Sequence, residues 1–128
     1  MIINESNKVC ITVAWSGWGK VSAARATTRL LSIVYKKKPI DIILFTGVAG
    51  AVDTKLKKWD IVFGESLIQH DMDARGLLNF KLGETPFDPI SVISFSSDGY
   101  TCASGDHFVQ PSLEIQCDLV DMEAVSYT

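Results

Sequence analysis

Four short stretches concentrate the residues able to touch a small ligand: Ser16-Gly17-Trp18-Gly19-Lys20, Thr46-Gly47-Val48-Ala49-Gly50, Ser104-Gly105-Asp106-His107-Phe108-Val109 and Val120-Asp121-Met122-Glu123-Ala124. The second carries the clearest physical signal. Its two glycines follow the apolar run Ile40 to Phe45, so the backbone can take positive φ and approach a ligand with no Cβ in the way. In open α/β sheets ligands sit just beyond the carboxyl ends of strands. Other reactive side chains have plainer readings. His70 and Asp71 are neighbours in a strand-like segment and would point to opposite faces, so His70 reads as structural rather than as a base. Cys102, with no base assigned to it, reads as a small buried apolar residue. Trp15 reads as core. Trp18 and His107 stay open between ligand contact and ordinary surface.

These residues need elements to position them. Val9 to Trp15 is rich in β-branched and apolar residues and runs into a glycine turn, as a strand would. From Val21 the apolar residues Val21, Ala24, Thr28, Leu31 and Val34-Tyr35 recur at three- and four-residue steps, which predicts a helix of about four turns ending near Lys36-Lys37-Lys38-Pro39. Ile40 to Phe45 then reads as a strand buried on both faces, broken only by Asp41. Together they predict a right-handed βαβ unit with two parallel strands. Further strands are expected at Asp60 to Ser66, Ser91 to Phe95, Tyr100 to Ala103 and Leu119-Val120, with a long loop over Ala74 to Pro89. The expected fold class is α/β: a twisted, mainly parallel or mixed central sheet flanked by helices.

Composition narrows the function. The chain has 128 residues, a length that suits one domain. It is 47% hydrophobic and 21% charged, with mean hydropathy +0.19, an apolar balance that suggests some surface is covered by a partner. Net charge −3 and pI near 5.2 exclude a general nucleic-acid or anionic-membrane binder, because no basic face outweighs the acids. Lys36 to Lys38 reads as a solvated helix C-terminus. Cys10, Cys102 and Cys117 form no C-x-x-C pair, and two histidines offer little to a metal, so reduced thiols and no metal or other cofactor are expected. Without a signal-peptide pattern or a spanning apolar run, the expected location is the cytoplasm.

In combination the four stretches resemble the purine nucleoside phosphorylase and uridine phosphorylase superfamily. Within it they look most like the 5′-methylthioadenosine/S-adenosylhomocysteine nucleosidases, to which Trp59 to Ala74 (WDIVFGESLIQHDMDA) is also similar. The resemblance runs from about Val9 to Ala124 and makes residues 1–128 one nucleoside phosphorylase-like domain, incomplete relative to that family. It implies hydrolysis of the N-glycosidic bond of an adenine thionucleoside and a homo-oligomeric, dimer-like assembly. By the same resemblance Val48, Ala49 and Gly50 would lie along ribose and base. Phe108 would stack on adenine and the Val109 backbone would pair with its edge. Asp121 and Met122 would border the ribose, and Glu123 would bind its hydroxyls. A carboxylate suits that task, since it accepts two hydroxyl hydrogen bonds and favours the positive charge that develops on the sugar.

Similar phosphorylases carry a phosphate-holding arginine two residues before the first glycine of the central turn. Phe45 occupies that place, which favours water as the nucleophile over a phosphorylase reaction. The resemblance also calls for a water-activating glutamate on an earlier strand and an adenine-protonating aspartate beyond the Met-Glu pair. Glu5 has no strand expected around it and is not assigned the first role; no residue matches the second. Both proton-transfer carboxylates are thus expected to be missing from these residues. The expectation is an impaired hydrolase or, alternatively, a catalytically silent remnant that binds nucleosides or forms oligomers, with a nucleoside phosphorylase as a further alternative.

Overall fold

Alternation of small and branched apolar residues builds the centre of the molecule. In the computed structural model, which describes residues 2–4, 9–32, 40–87, 90–95, 98–108 and 113–128, three parallel strands form the core of a five-stranded sheet. They are β4 (Gly64–Gln69), β6 (Tyr100–Ser104) and β7 (Leu119–Asp121). The short antiparallel strands β5 (Val92–Ser94) and β3 (Gly50–Ala51) flank them, giving the order β3-β7-β6-β4-β5. Register follows the period of two. Leu67, Cys102 and Leu119 align across β4, β6 and β7 and pack with Ala124 on one face. Ile68 and Ala103, beside Val120, pack with Cys117 on the other. The mixed, two-faced sheet agrees with the expected α/β class.

The expected first βαβ unit does not form. β2 is only Val9–Ile11 and pairs antiparallel with β1 (Ile2–Asn4) in a separate two-stranded sheet. A strand therefore does lie immediately before Glu5, where none was expected; Glu5 itself falls outside the described residues. Residues 40–49 carry no strand, and Leu44 is 87% exposed. An apolar run makes a buried strand only when neighbouring strands and a covering layer receive it. Here the sheet ends at β3, and the run is covered only in part: Phe45 stacks on Tyr127, while Ile42 and Leu44 stay exposed. Trp15, expected in the core, is 93% exposed for the same reason.

Helix α1 (Lys20–Leu31) is shorter than its pattern suggested, and its buried face is displaced by one residue. Ala23 and Thr27 are buried, whereas Val21, Ala24, Thr28 and Leu31 are exposed. The face turned inward packs on a 3-10 turn at Ala124–Tyr127, and small residues allow that close approach. Thr27 Oγ1 satisfies itself by donating to the Ala23 carbonyl, 2.9 Å away. Val34, Tyr35 and the three lysines lie outside the described residues. The expected third strand begins at Gly64 rather than Asp60, leaving Ile61 and Phe63 exposed. The loop after Ala74 contains one helical turn, α2 (Arg75–Leu78).

At the carboxyl end of the sheet the His70 ring lies against Gly105, so closely that an added Cβ would meet Nε2 at 2.3 Å. His70 is only 8% exposed and cannot swing away cheaply. Gly105→Ala is expected to cost about 1–3 kcal/mol of stability, as overpacking of a filled site does. A lower urea midpoint with an unchanged m-value is the expected result.

Candidate functional site

Helix α1 starts without a cap of its own. Gly19, at φ +86°, is the N-cap residue and has no side chain to offer, and the first turn contains no acidic residue. The helix's leading N–H groups must therefore find acceptors elsewhere. Gly19 N–H donates to Glu123 Oε1 at 2.8 Å, and Lys20 N–H donates to Asp106 Oδ1 at 2.7 Å. Both acceptors come from the other end of the chain, and carboxylates at a helix N-terminus are electrostatically favoured. A Cβ on Gly19 would come within 2.9 Å of Asp106 Oδ1, so glycine serves both the backbone angle and the approach.

The Lys20 ammonium closes the arrangement. It donates to Asp71 Oδ1 and lies 3.9 Å from Asp106 Oδ2, while Asp71 Oδ2 accepts the Asp106 N–H at 2.8 Å. Lys20 and Asp71 are mostly buried, and Asp106 is half-exposed. Burial pushes the Asp71 carboxyl upward, but the bonds from Lys20 and the Asp106 N–H outweigh it and hold the group below its ordinary 3.8. Neither Lys20 nor the pairing of Asp71 with Asp106 was foreseen. Their signal was the lysine directly after a glycine turn and the two Asp-containing turns, each too common alone to read as a contact.

A second cluster fixes the residues after β7. Asp121 Oδ1 accepts from the Ser104 hydroxyl and Oδ2 from the Ala124 N–H at 2.8 Å; Ser104 Oγ in turn accepts the Val125 N–H at 3.2 Å. Asp121 is 9% exposed, and its carboxylate caps the turn that carries Glu123. The turn's N–H groups are satisfied by β6 and β7 themselves.

All four chemistry-bearing stretches meet here. Gly50 pairs with Val120, which brings the Val48-Ala49-Gly50 turn beside the Asp121-Met122-Glu123 segment. Val48, Ala49 and Gly50 are exposed, Met122 and Glu123 are half-buried, and Phe108 is 81% exposed two residues beyond Asp106. Val109 lies outside the described residues. A cleft of about 350 Å³ opens beside Lys20 and Asp106 and is bordered by Gln69, Val125 and Ser126. It adjoins the expected contacts rather than containing them: Val48 to Gly50, Phe108 and Glu123 do not line it.

His70 does not pair with Asp71 as a catalytic couple. Its backbone N–H donates to the Ser104 carbonyl, its ring meets His107 edge-on at 5.1 Å, and Nε2 has no hydrogen-bond partner among the described residues. Burial lowers its pKa below 6.5; Asp71 opposes this, and His107 and Lys20 add to it. Burial, followed by the Asp121 carboxylate, raises the Cys102 thiol far above its ordinary range, which agrees with an unreactive buried cysteine. Among the described residues no group of three or more His, Cys, Asp or Glu side chains is arranged to hold a metal. Among the described residues no helix is long and apolar enough to cross a membrane.

Comparison with known proteins adds an independent line. A family model described as the phosphorylase superfamily matches residues 1–107. The 5′-methylthioadenosine/S-adenosylhomocysteine nucleosidase of Staphylococcus aureus (strain MRSA252) is 38% identical over 81 residues, which cover 63% of this chain and 33% of that protein. The Helicobacter pylori nucleosidase of the same description, solved with butyl-thio-DADMe-Immucillin-A, superposes with TM-score 0.74 at 26% identity over 88% of this chain and 56% of its own. A futalosine hydrolase mutant from H. pylori strain 26695 superposes with TM-score 0.75 at 26% identity, over 88% of this chain and 58% of that one. The chain spans about a third of the length of the curated relatives it matches.

The lowered Asp71 pKa fixes the sign of an acid limb. Since the unfolded chain takes up this proton first, Asp71 contributes stability that is fully present above 3.8 and lost as pH falls through its lower folded value. Asp71→Asn is expected to cost about 1–3 kcal/mol at pH 7, because the amide cannot accept from both the ammonium and the Asp106 N–H. It should also flatten the fall in stability below pH 4. Urea melts of both proteins from pH 7 to 2.5 measure this, and parallel acid limbs would refute it.

Proposed function

Because the chain belongs to the phosphorylase superfamily, we propose that its four converging turns form the sugar- and base-binding part of an adenine thionucleoside hydrolase site. The observation that carries this reading is Glu123: half-buried, anchored through Oε1 to the Gly19 N–H, with no protein donor on Oε2 among the described residues. A carboxylate held by one oxygen can offer the other to ribose hydroxyls and favour cationic character at the sugar. Val48, Ala49 and Gly50 run along the ligand, Met122 packs on the ribose, and Phe108 stacks on the base with the Val109 backbone at its edge. Asp121 acts from behind, by shaping the turn.

Hydrolysis is favoured over phosphorolysis. Phe45 stacks on Tyr127 with ring centroids 4.5 Å apart, so the place where similar phosphorylases hold phosphate with arginine is filled by an aromatic pair. The relatives named above are a nucleosidase and a futalosine hydrolase, which is the same preference for water.

Binding and bond cleavage draw on different residues. Those assembled here hold sugar and base; they include no assigned carboxylate to activate water or protonate adenine. A polypeptide of these 128 residues is therefore expected to bind methylthioadenosine and release no adenine. Glu123→Ala should weaken nucleoside binding roughly ten- to hundred-fold, the scale of a lost hydrogen bond to a charged group, and leave adenine binding unchanged. Isothermal titration of both ligands, beside an adenine-release assay, decides the matter. Equal losses for the two ligands would remove the ribose role, and robust release would show that the proton-transfer groups lie within these residues.

We also propose that the chain self-associates with a second copy of itself. Val13, Ile42, Leu44 and Phe63 are all exposed, and large apolar side chains left in water favour burial against a partner. Light scattering on dilute protein should give a mass at or above twice 14.0 kDa, and a monodisperse 14.0 kDa species would refute it.

A further inference from the structure

We infer that Lys20 is a positioning residue for Glu123, acting through the Gly19–Lys20 peptide. The inference rests on the ribose role proposed above but concerns a different question: what holds the carboxylate in place.

The geometry forms a chain of constraint. Glu123 Oε1 is held by a single donor, the Gly19 N–H at 2.8 Å. Gly19 carries no side chain to anchor it, so that N–H is only as well placed as the peptide that follows. That peptide is gripped from both ends of Lys20. Its N–H donates to Asp106 Oδ1, while its side chain, mostly buried, donates to Asp71. Asp71 joins the two grips, since its second oxygen takes the Asp106 N–H. The result is a closed ring of Lys20, Asp71 and Asp106 with a cation between two carboxylates.

Removing the cation reverses the electrostatics. Asp71 and Asp106 would face each other as like charges, held together only by one backbone bond, and would separate. Asp106 would release the Lys20 N–H, leaving the Gly19–Lys20 peptide held only through the Gly19 carbonyl, which accepts the Ala23 N–H at 3.0 Å, so that the Gly19 N–H could tilt away from Glu123. Glu123 would then keep its charge but not its aim. No other hydrogen-bond donor to the Glu123 carboxylate exists among the described residues to compensate. On the far side the Ser104–Asp121 cluster holds Ala124 and Val125, so the backbone of Glu123 would stay in place while its side chain turned.

The test needs one arm that is independent of ligand. At pH 7 the Gly19 amide of the parent protein should resonate downfield and exchange slowly with solvent, because its N–H donates to the Glu123 carboxylate. Glu123→Ala should move the resonance upfield and speed its exchange. Lys20→Met should produce at least half of that change, and Lys20→Arg, which keeps the cation, should produce little of it. Should Lys20→Met fail to fold, Asp71→Asn in the same measurement gives the same answer. A Gly19 amide that keeps the parental shift and protection in Lys20→Met would overturn the inference.

The second arm is calorimetric. Lys20→Met should weaken methylthioadenosine binding about ten-fold in the parent background and produce no further loss on top of Glu123→Ala, the sign of two changes acting through one contact. Additive losses would refute positioning through Glu123. If the amide response follows Lys20 as expected but neither parent nor variant binds nucleoside, the positioning stands and the ribose role fails.

Discussion

The site depends on one unmet requirement: helix α1 begins at a glycine, so the N–H groups of Gly19 and Lys20 have no local acceptor. An unpaired helix terminus is costly, and the chain meets the cost with Glu123 and Asp106, more than eighty residues away. Those two bonds tie the start of the helix to the carboxyl end of the sheet. They also explain why small residues face inward on α1. Ala23 and Thr27 let the helix lie close enough to the turn at Ala124–Tyr127 for Gly19 to reach Glu123.

Behind that junction the sheet supplies rigidity. β6 and β7 run parallel with Ser104 opposite Asp121, and the pair uses its side chains to hold the N–H groups of the next turn. Both faces of these strands are packed, by Leu67, Cys102 and Leu119 on one side and Ile68, Ala103 and Cys117 on the other. The turn that carries Glu123 therefore stands on the best-packed part of the molecule, whereas Val48 and Phe108 stand on exposed loops. Precision is concentrated where a charged group must be aimed.

Much of this was legible in advance, and the misses share a cause. β5, β6 and β7 fall where short apolar runs bounded by turns predicted them, because each has a neighbouring strand to pair with. The run at residues 40–45 has the same local character but no strand to pair with and only partial cover, and a one-dimensional pattern carries no information about that. The helix face failed similarly: the bulkier apolar series containing Val21 and Leu31 was favoured over Ala23 and Thr27, although close packing selects small side chains. At the candidate site the four stretches were recognisable by type, and the structure joins them by direct bonds. What sequence could not supply was the pairing of Lys20 with Asp71 and Asp106, since three charged residues far apart in the chain have no spacing that marks them as partners. The bonds of Asp121 to Ser104 and Ala124 were equally invisible, because a carboxylate next to a candidate ligand residue looks the same whether it faces a ligand or caps a turn.

The distribution of exposure bears on selectivity in the proposed site. Phe108 is 81% exposed and Val48 94%, so a base resting there meets an open ring and an open loop. Stacking on an open aromatic face is tolerant, since every flat base has a π-face to offer. It contributes affinity without choosing among purines. A hydrogen-bonding carboxylate fixed in direction is different, because a ligand lacking the matching hydroxyl leaves it unpaired and is rejected accordingly. Under the proposed ribose role, discrimination between a nucleoside and a free base would come from Glu123, whose direction is set by the Gly19 N–H. Selectivity for the sugar would then be a consequence of how a helix without its own cap is held to the sheet.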